Sequence, residues 1–300
     1  DIDVSLVGSS NFSAPIGDTD NDAGNNLDET LAPFRPAEEK DVIFKAGASL
    51  TPTDNLLFFF TWSEGFRPGG LNRGCSPDPN VTVPCEFATD ELTNYELGWK
   101  IDLFNRNVRF NGSAFFMEWD QIQASVFAPA IVNSNLTFND NAANAEIWGI
   151  EGDVTWAVTQ GLTLSGAFTY LNTEITELLP TGSISIVEPG SELSTAPDFQ
   201  GNLRARYTWF MGDYQLHTQT QVQYSSSAFS DIVASERRQM DSYATWNLSA
   251  GGRKGRWFAE LFAQNITDTR AELFISTQDD IPRTFTNRPR TFGLRVGFDY

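Results

Sequence analysis

The chain has 300 residues, a hydrophobic content of 40%, a formal net charge of −19 and a sequence pI near 4.3. This acidity excludes nucleic-acid binding, which depends on clustered Lys and Arg. The longest apolar run, Leu56–Phe60, is far shorter than the ~20 apolar residues of a membrane-spanning helix, so no such helix is predicted. The single histidine, His217, excludes a metal site built from several histidines.

Alternation of large apolar with polar side chains predicts β-strands along most of the chain. A first strand is predicted at IDVSLVG, before a long acidic loop. The clearest later examples are YELGWKIDL, WGIEGDVTW, YQLHTQTQVQY and the ending RTFGLRVGFDY. Alternation is poor in LLFFFTW and WFAELFAQN, so the sequence leaves their faces unassigned. The count comes to twelve strands, most of about ten residues, which is the length that a tilted strand needs to cross a membrane.

Short and long connections alternate strictly between these strands. The short ones are predicted at residues 51–55, 104–107, 158–161, 211–213 and 253–255. The long ones are predicted at 9–41, 65–91, 123–144, 173–197, 226–240 and 268–288. Outer-membrane barrels have short periplasmic turns and long external loops. We therefore predict an all-β protein, a transmembrane antiparallel barrel, with a soluble β-sandwich or lectin-like domain as the alternative.

The barrel hypothesis assigns one face of each strand to lipid and the other to the lumen. The predicted lipid-facing side chains include Leu97, Trp99, Leu294 and Val296. The predicted lumen-facing side chains include Lys100, Glu151, Gln219 and Arg295. Aromatic residues near strand ends are expected to lie at the two membrane interfaces, and they include Tyr95, Trp156, Trp209 and Tyr300.

Several segments after about residue 40 resemble one known family. They are WSEGFRPGGLN, NYELGWKIDLFNRNVRFNGSAFFMEWDQIQ, AEIWGIEGDVTWAVTQGLTLSGAFTYLNTEI, LFAQNITDTR and NRPRTFGLRVGFDY. In this order they are similar to the C-terminal half of TonB-dependent outer-membrane receptors. The resemblance implies that residues 1–300 are the C-terminal portion of a barrel of about 22 strands, whose plug domain lies outside this chain.

The resemblance also implies a function, a location and partners. It implies an importer in the outer membrane of a Gram-negative bacterium, with a ferric siderophore or similar metal chelate as substrate. Its implied partners are lipid, lipopolysaccharide, TonB through a missing N-terminal plug segment, and the barrel-assembly machinery. That machinery would recognise the terminal aromatic strand through Phe292, Phe298 and Tyr300. A passive pore or structural barrel is the alternative.

No catalytic constellation is visible in the sequence. His217 lies among glutamines without a recognisable nucleophile motif near it, so we expect no enzymatic activity and no required cofactor. We expect this histidine to bond to its glutamine neighbours or to the plug.

The segment DTDNDAGNNLDE is the sharpest local motif. Asp18, Asp20, Asp22 and Glu29 fall at positions one, three, five and twelve of a calcium-binding loop. The sixth position, where that loop requires Gly, is Ala23. The motif allows a Ca²⁺ site in an external loop, and a solvated acidic loop is the alternative.

The segment GFRPGGLNRGC places Phe66, Arg67 and Arg73 above the predicted barrel mouth. Arginine suits anionic ligands such as carboxylates or metal chelates, but ordinary loop packing or pairing with nearby acids is the favoured alternative. Cys75 and Cys85 lie close together in the same loop and predict a disulfide in an exported protein, with two free thiols as the alternative.

Overall fold

The computed structural model describes residues 2–8 (backbone only), 42–72, 84, 86–126, 137–179, 187–277 and 281–299. None of these residues belongs to a helix long and apolar enough to cross a membrane. The strands are β1 (Ile2–Gly8), β2 (Phe44–Thr53), β3 (Leu56–Arg67), β4 (Gly70–Leu71), β5 (Glu86–Phe87), β6 (Asp90–Leu103), β7 (Val108–Val126), β8 (Phe138–Ala157), β9 (Leu162–Leu178), β10 (Phe199–Met211), β11 (Tyr214–Ser225), β12 (Ala228–Phe229), β13 (Gln239–Met240), β14 (Tyr243–Lys254), β15 (Trp257–Gln264), β16 (Glu272–Ser276), β17 (Arg283–Thr286) and β18 (Thr291–Phe298).

One antiparallel sheet of twelve strands dominates the fold, in the order β1-β2-β3-β6-β7-β8-β9-β10-β11-β14-β15-β18. This confirms the predicted count and the first strand. The other strands form three small hairpins, β4–β5, β12–β13 and β16–β17, which lie within long connections. Consecutive strands of the main sheet are joined alternately by tight turns and long connections, as predicted. All the long connections therefore leave the same edge of the sheet.

The sheet has one apolar and one polar face, because side chains alternate along every strand. Leu97, Leu294 and Val296 project from the apolar face and are 54%, 62% and 58% exposed. Trp99 shares that face and is half-buried, with its ring 5.9 Å from Phe110. Lys100, Glu151, Gln219 and Arg295 lie on the polar face. The two predicted sets of side chains therefore lie on opposite faces of the sheet.

Two rows of aromatic residues cross the apolar face. The row nearer the long connections spans six neighbouring strands and contains Tyr95, Phe116, Trp148, Tyr170, Phe199 and Tyr224. The row nearer the tight turns contains Trp156, Tyr207, Trp209, Tyr214, Trp257 and Phe298. On β8 the two rows are eight residues apart, which is about 26 Å along a strand. Because barrel strands tilt by about 35–45°, this length corresponds to an apolar band roughly 20 Å tall, slightly less than the about 25 Å typical between interfacial girdles.

Three strands are much longer than the ten or so residues predicted: β7 has 19 residues, β8 has 20 and β9 has 17. They continue past the aromatic row nearer the long connections, called the upper aromatic row below. An apolar cluster stabilises these extensions. The cluster joins Ile122, Ala143 and Ile175 to Val187 and Ile232 of the covering loops. The β7–β8 pairing shifts register near Gln121, which has a positive φ of 55°. Such a bulge bends the strand.

Candidate functional site

The polar face of the sheet is the first candidate surface. Around β6–β8 it is acidic. Arg109 donates to Asp102 at 2.8 and 3.1 Å, and Asn111 donates to Asp153 at 3.1 and 3.3 Å. The Ser113 hydroxyl donates to Glu151 at 3.3 Å. These bonds join side chains directly opposite each other on neighbouring strands, so they fix polar side chains along the wall.

Around β10–β18 the same face is basic. It carries four arginines against two carboxylates, namely Arg204, Arg206, Arg253 and Arg295 against Glu260 and Asp299. Arg295 donates to Glu260 at 2.6 Å, and Arg253 pairs with Asp299. The wall therefore changes sign of charge from one side to the other.

His217 bonds to Glu260 at 3.0 Å rather than to glutamine neighbours. The bond crosses β14, where Gly251 stands between the two residues in the register. A Cβ at position 251 would lie 2.9 Å from the His217 ring. The glycine thus leaves the space through which the imidazole reaches the carboxylate two strands away.

At the long-connection end of the polar face, Arg67 is held by Asp90. The Arg67 guanidinium makes a bidentate pair with this carboxylate, whose side chain is only 3% exposed, and lies 5.1 Å from the centre of the Trp119 ring. The amide of Gln123 donates to the backbone oxygens of Arg67, Pro68 and Ala88. A bidentate pair of this kind fixes the plane of the guanidinium. About half of the Arg67 side chain stays exposed.

The predicted ligand-binding residues are not brought together. Phe66 is next to Arg67 in an extended strand and so projects from the opposite face. Arg73 lies outside the described residues. The sequence pattern did not predict Asp90 and Trp119 as the residues that contact Arg67. The pairing of neighbouring strands places Asp90 and Trp119 beside Arg67, and no local sequence motif predicts this contact.

Two long connections fold over the polar face above β7–β9. Leu193 donates its backbone N–H to the Thr173 hydroxyl at 2.9 Å, and Gly190 donates to the Ile175 carbonyl at 2.8 Å. Arg237 lies 3.6 Å from the centre of the Phe229 ring and donates to the Glu192 carbonyl at 2.8 Å. These contacts attach the loops to each other and to the wall.

Two aspartates in the long connections have shifted pKa values of opposite sign. Burial raises the pKa of Asp231, even though the Val233 amide and Arg237 oppose that shift. A hydrogen bond from the Arg290 backbone N–H lowers the pKa of Asp268, and the charges of Arg270 and Arg290 act in the same direction. These opposite shifts predict that acid acts on the two loops in opposite directions.

The remaining predicted sites lie mostly outside the described residues. These are the calcium loop (Asp18, Asp20, Asp22 and Glu29), the Cys75–Cys85 disulfide and the terminal Tyr300. They stay predictions. Within the described range, Phe292 and Phe298 project from the apolar face of β18, at 71% and 39% exposure.

Comparison with known protein families identifies the family to which this sheet belongs. Residues 10–266 match a family model described as "TonB dependent receptor-like, beta-barrel". The chain belongs to the TonB-dependent receptor family. The twelve-stranded sheet is accordingly part of a transmembrane β-barrel, with its polar face lining the lumen and its apolar face meeting lipid.

Solved structures of similar fold include other receptors of this family. The ferric yersiniabactin uptake receptor FyuA from Yersinia pestis superposes with a TM-score of 0.71 at 16% identity, over 89% of this chain and 38% of its own. The siderophore receptor PiuA from Acinetobacter baumannii gives a TM-score of 0.68 at 17% identity, over 87% of this chain and 36% of its own. At these identities the likeness shows the fold.

A curated relative from Acinetobacter baumannii carries the name "Probable TonB-dependent siderophore receptor PiuA" and is 22% identical over 139 residues. That match covers 45% of this chain and 18% of the relative. The receptor chain thus spans well under half the length of the proteins it resembles. Family membership places it in the outer membrane of a Gram-negative bacterium, among receptors rather than enzymes.

Proposed function

We propose that this chain is the C-terminal portion of a barrel of about 22 strands and that the whole protein is an energised importer of a metal chelate. A ferric siderophore is the substrate that its relatives' names favour. The observation that carries the proposal is the family match over residues 10–266. The matched residues form most of the twelve-stranded sheet, which has one polar face and its long connections at one edge.

The wall supplies a fixed holder in this proposal. The ladder of bonds between β6, β7 and β8 keeps lumenal polar groups in place. The folded connections above β7–β9 and the exposed half of Arg67 face the side from which substrate arrives. Arg67 can offer donors to an anionic chelate while Asp90 holds its orientation.

In this proposal, the parts of the protein that open and close the transport path lie outside this chain. A plug domain within the lumen would close the path, and an N-terminal segment would contact TonB to open it. Lipopolysaccharide and the barrel-assembly machinery are the other proposed partners, the latter through Phe292, Phe298 and Tyr300. The Asp18–Glu29 loop is a proposed external Ca²⁺ site, to be tested with and without a chelator.

Uptake measured with the intact gene product tests the import proposal. Cells that express it should accumulate radioactive iron from at least one ferric chelate, and deletion of TonB should abolish that uptake. TonB-independent passage of small solutes would instead establish the passive-pore alternative. If the intact protein carries a plug and no ligand shows TonB-dependent uptake, the importer proposal fails.

A further inference from the structure

The basic part of the lumen wall contains two arginines that lack an acidic partner among the described residues. Arg204 donates to the Ser165 hydroxyl at 3.0 Å, and Arg206 donates to the Gln219 side-chain oxygen at 3.3 Å. Both contacts are with neutral groups. A guanidinium has five N–H donors, so most of the donors of each arginine are available.

These two arginines share one face of β10. They are two residues apart, so their Cα atoms are separated by about 6.6 Å along the strand. Two like charges at this spacing repel each other, and an anion between them would relieve the repulsion. In a chain with 39 acidic and 20 basic residues, such an unmatched pair is unexpected from composition alone.

A cavity of about 210 Å³ adjoins Arg206 on the lumen side, and Arg204 lies two residues along the strand outside its lining. Arg206, Arg253 and Arg295 line it, together with Thr208, Gln215 and His217. The carboxylate in its lining, Glu260, already accepts bonds from His217 and Arg295. Arg253 is paired with Asp299. Of the three arginines that line the cavity, Arg206 is therefore the one whose side-chain partner among the described residues is neutral.

We propose that Arg206, supported by Arg204 and the adjoining cavity, forms a carboxylate-binding site on the basic side of the lumen wall. The planar fork of arginine matches the two oxygens of a carboxylate, and neighbouring Thr208 and Gln215 add polar groups. The carboxylate has two sources: a free solute in the lumen, or an acidic side chain from a part of the intact protein that occupies the lumen. The first source does not depend on the proposed function, whereas the second rests on the proposed plug domain.

Binding of radioactive succinate to the purified intact protein tests the first source. If the site is open, wild-type protein binds succinate saturably, and Arg206→Gln weakens binding by about tenfold or more, as expected for loss of a charge-assisted bond. Arg109→Gln is the matched control, because Arg109 is already paired with Asp102. It should leave succinate binding unchanged.

Zero-length carbodiimide cross-linking tests the second source. Arg206→Lys places an amine at the site, and peptide mapping should find it joined to a carboxylate outside β10–β18. Arg109→Lys is the control and should join to Asp102, its partner in the wall. If succinate does not bind and Lys at position 206 forms no such cross-link, or joins only to Glu260 or Asp299, the proposal is overturned. Either positive result supports it and identifies the source.

Discussion

The ring of Phe59 lies across Gly98, its direct partner on the neighbouring strand β6. Phe262 covers Gly293, and Phe258 covers Gly297, in the same way on β15 and β18. All three rings lie on the lumenal face. An aromatic ring beside a strand glycine fills the space that a side chain would occupy and shields the backbone there.

Replacing Gly98 tests this packing. In Gly98→Ala the new methyl group would overlap the Phe59 ring, and we expect the free energy of unfolding to fall by about 1–3 kcal/mol. Gly65→Ala on β3 is the control, since a Cβ there has open space. Urea unfolding of the intact protein from lipid vesicles measures both. Adding Phe59→Leu to Gly98→Ala should restore part of the loss, and equal losses at both glycines would contradict the overlap.

These pairs also explain where the sequence was insufficient. Alternation predicted twelve strands, the loop pattern and the two faces wherever lumenal residues are polar. It failed in LLFFFTW and WFAELFAQN because Phe59, Phe258 and Phe262 face the lumen. The glycines that make room for them belong to other strands. Arg67 is a similar case, since its partner Asp90 is 23 residues away and only strand register joins them.

Val296 tests the assignment of the apolar face to lipid. It lies on that face of β18 and is 58% exposed. Val296→Arg should reduce the free energy of unfolding from vesicles by about 1–3 kcal/mol, because the charge enters the apolar band two residues from the aromatic row that contains Phe298. Thr169→Arg is a lumen-facing control opposite Glu151 and should change stability little. Equal effects at the two positions would refute the assignment.

Three glutamates form a cross-strand row above the upper aromatic row. Glu118 lies opposite Glu146, and Glu146 lies opposite Glu174. All three are exposed. Directly opposed like charges destabilise a sheet, so Glu146→Gln should raise stability by about 0.2–1 kcal/mol at low salt. The gain should shrink at high salt because the repulsion is screened. A loss of stability, or a gain independent of salt, would show that the row does not repel.

Acid should stabilise one loop and destabilise another. The raised pKa of Asp231 means that the folded loop keeps its proton, so this contribution is present at low pH and is lost as pH rises through the raised value. The lowered pKa of Asp268 has the reverse sign. Its contribution is present above the ordinary aspartate pKa and is lost as pH falls through the lowered value.

Hydrogen exchange, corrected for the intrinsic effect of pH, measures both responses. Protection of the Glu236 and Arg237 amides should increase on acidification in the wild type, and Asp231→Asn should remove that dependence. Protection of the Arg290 amide should decrease, and Asp268→Asn should remove that decrease. Changes of the same sign in both loops would contradict the opposite shifts.

The predicted disulfide can be decided by peptide mapping of unreduced protein. A bond between Cys75 and Cys85 closes a short loop, and its reduction should lower stability by about 2–3 kcal/mol. The mapped digest should contain one linked peptide that separates on reduction. Alkylation of both thiols in unreduced protein would exclude the bond.

The unequal strand lengths give the barrel wall a sloping rim. On β8, Phe138 lies ten residues beyond Trp148, so this strand continues for about 33 Å along its axis above the upper aromatic row. The opposite part of the wall is lower, since β15 has only 8 residues. Among the described strands, β7–β9 therefore extend farthest beyond the upper aromatic row, and an antibody raised against whole cells should be able to bind these extensions.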